Sequence, residues 1–273
     1  MDRIRLIASD MDATLLDEQS QLPADFEETI HALAALGIRF APASGRPLYT
    51  LEAMFPTLQD ELVFIGDNGG AIRWHGQDLF TSEMSPEGWR ALNRLTREQG
   101  DIAVLCGLES AYVERPFAVH DAVLRHFYTK IEYVDRLEDV TAPADKFTIY
   151  LPQHNAQQAY DTVYASQRSI YSVAVAGECW VDIMNPGVHK GAALQTLGQL
   201  WGLPSESIMA FGDTYNDAEM LRTAKYGFLM ENGSVPLRRN VPFLAPSNRE
   251  AGVMQILHRV LAQNGCVCPE DFV

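Results

Sequence analysis

A chain of 273 residues, 47% of them hydrophobic, can bury a core for one large domain or two smaller ones, which excludes a disordered or fibrous protein. A net charge of -15 and a pI near 4.8 argue against broad contact with a nucleic-acid backbone, because such binders present a basic face. No stretch of about 18 apolar residues reads as a membrane span, and no signal-peptide pattern precedes the first strand, so the expected setting is soluble and cytoplasmic.

The first apolar run, Ile4-Arg5-Leu6-Ile7-Ala8, reads as a strand, and after Ser9 it delivers Asp10-Met11-Asp12-Ala13-Thr14. Ligands of open α/β sheets bind beyond the carboxyl ends of the strands. If the strand continues, Asp10 and Asp12 point the same way and suit one hard cation; an isolated Asp-x-Asp equally suits an acidic turn. Pro23 to Leu36 carries Phe26, Ile30, Leu33 and Leu36 at helical spacing, and Gly37 ends it. Ile38 to Ala43 is a second expected strand, running into Ser44-Gly45-Arg46, and Leu62 to Ile65 a third, running into Gly66-Asp67-Asn68-Gly69-Gly70. Residues Ala71 to Thr81 suit a hairpin turning near His75-Gly76.

Between Glu83 and Pro186 the pattern changes. Helical runs over Pro86 to Glu98 and Asn155 to Ser166 alternate with short β-rich segments at Ile102 to Leu105, Ala111 to Val113 and Phe147 to Leu151, and a closing hairpin folds around Gly177. The earlier alternation then resumes. His189-Lys190-Gly191 opens a helix with an apolar face of Leu194, Leu197, Leu200 and Trp201. Ile208 to Phe211 is a strand ending in Gly212-Asp213-Thr214-Tyr215-Asn216-Asp217, and Tyr226 to Met230 is another. The expected architecture is a doubly wound, mostly parallel α/β core of residues 1–82 and 187–273, with an inserted α+β domain of residues 83–186.

The strand-end loops carry the residues with chemical potential. Asp213 is placed to complete a metal site begun by Asp10 and Asp12, and Mg²⁺ suits such oxygen ligands. Asp217 reads as the N-cap of the helix Ala218 to Ala224, with Asn216 as an alternative cap. Ser44 suits either a turn or donation to a phosphate oxygen. Lys190 is unfavourably placed at a helix N-terminus, so it is either a solvated lysine or the partner of an anion. The cysteines Cys106, Cys179, Cys266 and Cys268 are too scattered for a disulfide framework, and Cys266-x-Cys268 lacks the second pair of a zinc site.

Acid pair, serine loop, lysine and acid pair, in that order, resemble the haloacid dehalogenase superfamily of phosphohydrolases. The opening matches its Asp-x-Asp-x-Thr motif, Ser44 the second motif, Lys190 the third, and Gly212-Asp213-x-x-Asn216-Asp217 the fourth. The insert is similar to the α/β cap of the Cof-type subgroup, and Cys106 to Val113 and Phe55 to Glu61 look like segments of its bacterial sugar phosphatases. The resemblance implies that Asp10 is a nucleophile forming an aspartyl phosphate and Asp12 the acid/base. It implies Mg²⁺ held by Asp10, the backbone carbonyl of Asp12 and Asp213, and phosphoryl oxygens held by Ser44, the Gly45 and Met11 amides and Lys190. Asn216 would contact phosphate or Asp213, Arg46 and Asn68 the substrate, with Thr14 and Asp217 in support.

Three departures stand out: Ala13 for the usual glycine, Gly70 in place of alanine after Asn68-Gly69, and Asp182 in place of a glutamate ahead of the third motif. Candidate substrate-selecting residues in the cap are Tyr112, Trp180 and Asp182. The implied partner is a small phosphorylated metabolite, with no nucleic acid or membrane, bound by a monomer or homodimer. A phosphotransferase or mutase on the same fold, and a non-enzymatic sugar-phosphate sensor, remain as alternatives.

Overall fold

The structure is a computed structural model that describes residues 1–272. Its larger sheet has eight strands in the order Phe243–Ala245, Tyr226–Met230, Ile208–Gly212, Leu6–Asp10, Arg39–Ala43, Val63–Gly66, Ala71–Trp74 and Gln77–Thr81. Neighbours pair in parallel up to Val63–Gly66, and the terminal hairpin is antiparallel. Parallel pairing brings the carboxyl ends of Leu6–Asp10, Arg39–Ala43, Val63–Gly66 and Ile208–Gly212 to one edge, which is what gathers the candidate residues.

Both faces of this sheet are covered, so its strands read as continuous apolar runs rather than alternating ones. Ile7, Phe40, Phe64, Met209 and Phe228 pack on one side with the helices Phe26–Ala35 and Gly252–Ala262. Leu6, Ala8, Ala41, Val63 and Ala210 pack on the other with Lys190–Trp201 and Ala218–Thr223. Truncating a buried ring such as Phe40 to alanine would cost about 3–5 kcal/mol.

Residues 102–184 supply a second sheet of six strands, ordered Ser172–Val175, Trp180–Met184, Ala144–Tyr150, Ile102–Gly107, Ala111–Glu114 and Ile131–Val134. Phe147 and Ile149 face Pro86–Gln99 and Ala156–Thr162, while Val104, Cys106, Tyr150 and Trp180 cluster on the opposite side with Leu124 and Tyr128. The two connections between the sheets are tied together where Asn185 Nδ2 donates to the carbonyls of Ser82 at 3.2 Å and Glu83 at 2.8 Å.

Some local expectations need correction. The helix expected over Asn155 to Ser166 is shorter, Ala156–Thr162, and gives way to tight turns at Tyr164–Ser169 because Val163 leaves helical geometry (φ -125°, ψ -64°). Leu200 does not join the apolar face of its helix: it is 54% exposed, while Trp201 carries the packing against Trp74 and lies under the Arg39 guanidinium. Cys266 pairs its strand with Asp2–Arg3, and both C-terminal cysteines are free thiols. No helix among the described residues is long and apolar enough to cross a membrane.

Candidate active site

At the sheet edge the central strand ends in Asp10, and Met11–Leu15 winds through one irregular turn in which Ala13 takes a left-handed φ of 59°. Glycine adopts such a backbone without cost and alanine does not, so this loop is held by other bonds. Asn232 Nδ2 donates to the Ala13 carbonyl at 2.8 Å, Asn232 Oδ1 accepts from the Asn248 amide at 3.0 Å, and Asn248 Nδ2 donates to Leu16 O at 2.9 Å. Thr14 is buried beneath the loop, its hydroxyl without a partner. Neither asparagine was singled out from sequence; both lie far along the chain from the loop that they hold.

Lys190 starts its helix exactly where a cation is disfavoured, and the structure supplies the reason. Its fully buried ammonium donates to Asp10 Oδ1 and, at 2.7 Å, to Asp217 Oδ1. The solvated reading of this lysine therefore fails. Burial opposes its charge, but the two carboxylates outweigh that and raise its proton affinity.

Asp217 does not cap the helix Ala218–Thr223 with its side chain, as the sequence led us to expect. Its carboxylate turns back instead: Oδ2 accepts from the amides of Asp213 at 3.0 Å and Thr214 at 3.1 Å, leaving Oδ1 for Lys190. Gly212 makes room for this turn, since a Cβ there would lie 2.4 Å from that of Asp217.

Asp10, Asp213 and Asp217 each bring a carboxylate oxygen within 4.8 Å of the others. Burial, then Asp217, push the carboxyl of Asp10 well above the usual carboxylate range, and the same two causes raise Asp213 to about 7. The three acids share one buried ammonium, so the site holds more negative charge than it neutralises, and a divalent cation fits that excess. Both oxygens of Asp217 are already engaged, which leaves Asp10 and Asp213 as the available carboxylates.

The side chain of Asp12 stands apart from these three. It is half exposed, and Arg46 Nη2 reaches its two oxygens at 2.8 and 3.1 Å. Arg46 also lies 5.9 Å from the ring of Phe127, which packs with the second sheet. Ser44 is buried beside it, its hydroxyl accepting from the Arg46 amide at 3.1 Å.

Asn68 and Asn216, expected at substrate, phosphate or Asp213, are bonded to protein. Asn216 Oδ1 accepts from the Thr214 hydroxyl at 2.6 Å, and its Nδ2 is 3.4 Å from Asn68 Oδ1. Asn68 Nδ2 donates to Asp182 of the second sheet at 2.8 Å. Among the cap candidates only Asp182 makes such a link; Trp180 packs among Phe127, Tyr128 and Tyr150, and Tyr112 sits against the apolar cluster behind the second sheet.

Sequence reading overlooked two further charged residues at this junction, Lys146 and Asp67, whose Nζ and Oδ1 are 2.9 Å apart in full burial. Lysine is almost never fully buried unless paired, so Asp145-Lys146 just ahead of an apolar β run was an available signal. A Cβ at Gly70 would come within 2.9 Å of Asp145 Oδ2 and 3.2 Å of the Asp67 carbonyl, so a larger residue there would require the Asp145 side chain to shift.

The chain is similar to known proteins over most of its length. The profile of the haloacid dehalogenase-like hydrolases matches residues 7–257. A 5-amino-6-(5-phospho-D-ribitylamino)uracil phosphatase of Escherichia coli is 33% identical over 262 residues, which cover 94% of this chain and 96% of that protein. The HMP-PP phosphatase of Cronobacter sakazakii is 31% identical, with 88% and 89% covered. A solved structure from Streptococcus mutans, 28% identical, superposes with a TM-score of 0.85 over 95% of this chain and 99% of its own.

Proposed function

Because this chain belongs to the haloacid dehalogenase-like hydrolases and is a phosphoric monoester hydrolase of small phosphorylated metabolites, we propose that it cleaves sugar phosphates through an aspartyl phosphate on Asp10. The observation that carries this reading is the convergence of Lys190, Asp213 and Asp217 on Asp10 at the end of the central strand. A sugar-like leaving group is supported by the Escherichia coli relative, whose name specifies a phospho-ribityl compound. We take the second sheet with its helices, residues 83–186, as a cap over the site, and the protein as a cytoplasmic monomer or homodimer.

In this account one carboxylate oxygen of Asp10 attacks phosphorus while the bond from phosphorus to the sugar oxygen breaks, and Asp12 gives that oxygen a proton. Asp12 then takes a proton from the water that attacks the acyl phosphate, which returns Asp10 to its starting state. The entering phosphate offers Arg46 a second anion, which releases the Asp12 carboxylate to take up from solvent the proton that it then gives to the sugar oxygen. Lys190, the Ser44 hydroxyl and the Met11 and Gly45 amides hold the phosphoryl oxygens, and these donors are fixed by the fold before substrate arrives. Asp10, Asp213 and the Asp12 carbonyl would hold Mg²⁺, which when bound would supply the positive charge that lets two anions approach. Asp217 positions Lys190 and the Asp213 loop.

The test is phosphate release from a panel of hexose, pentose and ribityl phosphates, with Mg²⁺, with a chelator, and after Asp10→Asn. The account expects turnover that needs the metal and falls by about 10³-fold or more in Asp10→Asn. A substituted protein of full activity would refute it.

A further inference from the structure

Three core loops that carry proposed phosphate- and substrate-binding groups are tied to the second sheet through two of its side chains. Lys146, in the strand Ala144–Tyr150, is 2% exposed; its ammonium donates to the backbone carbonyl of Gly45 and lies 2.9 Å from Asp67 Oδ1. Asp182, from the neighbouring strand, accepts from Thr148 of its own sheet at 2.7 Å and from Asn68 of the core at 2.8 Å. Asn68 in turn meets Asn216 of the fourth loop at 3.4 Å. The loop between them is strained: Asp67 and Asn68 are consecutive non-glycine residues at φ of 49° and 55°. Such backbone persists only where its surroundings over-determine it, and here each strained residue is gripped by one charged side chain from the other sheet.

We propose that Lys146 and Asp182 are positioning residues for phosphoryl transfer. Lys146 fixes the Gly45 peptide, and with it the amide on the phosphate. Asp182 fixes Asn68 and through it Asn216. The proposal rests on the reading that Gly45 and Asn68 lie around the bound substrate. It assigns the cap a task besides covering the site: the root of the cap sheet sets the geometry of donors on the core, and misplacing such donors by about 1 Å is costly in rate.

The test uses the full chain with p-nitrophenyl phosphate as substrate and inorganic phosphate as competing probe, because neither offers a sugar for the cap to recognise. Lys146→Met and Asp182→Ala are expected to lower kcat about tenfold and to raise the inhibition constant for phosphate several-fold. Asp182→Asn, which keeps an oxygen acceptor for Asn68, should recover most of the loss. If Lys146→Met does not fold, the Asp182 pair decides alone. Folded variants that melt earlier yet keep the wild-type kcat and phosphate inhibition would assign these residues a structural role and overturn the proposal alone. Turnover that survives Asp10→Asn would overturn the reading of the site, and the proposal with it.

Discussion

Two buried charge clusters lie close together in this protein, and they are built on different terms. The first, around Asp10, joins Lys190, Asp213 and Asp217 from strand ends and a helix start of one sheet. The second, around Lys146, joins Asp67 of that sheet to Asp145 and Asp182 of the other. Each sets one ammonium among three carboxylates. In the first the surplus charge lies at the carboxyl-end edge of the sheet, where Asp10 and Asp213 are 8% and 9% exposed. In the second, Asp145 is fully buried and neither of its oxygens has a hydrogen-bond partner. On the proposals above, the first cluster carries the chemistry, while the second ties the two sheets together and positions donors for it, although their composition is nearly the same.

Exchanging the lysines' role is the strongest way to break that comparison. Lys190→Met removes the ammonium paired with Asp10, which is also the proposed donor to the phosphoryl group, so phosphate-release assays should show turnover about 10²–10³-fold lower. It also leaves carboxylates buried without their partner, at a cost of about 3–5 kcal/mol in a denaturant titration. At Asp145 of the second cluster the expected response is in stability and in pH. Burial, then Asp67, push the carboxyl of Asp145 well above its ordinary value, with Lys146 opposing and Glu83 adding. A carboxyl that binds its proton more tightly folded than unfolded subtracts stability once pH rises above the unfolded value of 3.8. Asp145→Asn should therefore melt above wild type at neutral pH, and the gap should close as pH falls to about 4. Equal gaps at both pH values would mean that the Asp145 charge is not the source. The smallest effect is expected at Ala13. Relief of its left-handed backbone in Ala13→Gly, about 1–2 kcal/mol, is largely offset by the freedom glycine gains in the unfolded chain, so thermal melting should show a net gain of at most ~1 kcal/mol.

The contrast also marks what could be read from the sequence. The first cluster is local in pattern: each member follows an apolar run or opens a helix, and parallel pairing brings such positions together whatever their distance in sequence. The residues alone read Asp217 as a cap because its N-cap position is visible in the chain, and only the family resemblance placed it in support of the site; the turn of its side chain back to Lys190 is a tertiary choice. The second cluster depends on how two sheets pack. Lys146 finds Gly45 across 101 residues, and Asp182 finds Asn68 across 114, with no periodicity that reports either contact. Asp182 could be noted only as a departure from the family pattern and a candidate for substrate selection, and the closeness of Gly70 to Asp145 is visible only in the folded chain.

The central claim is that phosphate passes through Asp10, and the most direct measurement is to quench the reaction in acid and locate covalent phosphate by peptide mass spectrometry. Asp12→Asn keeps the nucleophile but lacks the base that activates water, so with Mg²⁺ and p-nitrophenyl phosphate, whose leaving group departs without the proton that Asp12 would give a sugar oxygen, it should accumulate phosphate on Asp10. Phosphate released by the wild type with no labelled peptide in this variant, or with the label on another residue, would contradict the account.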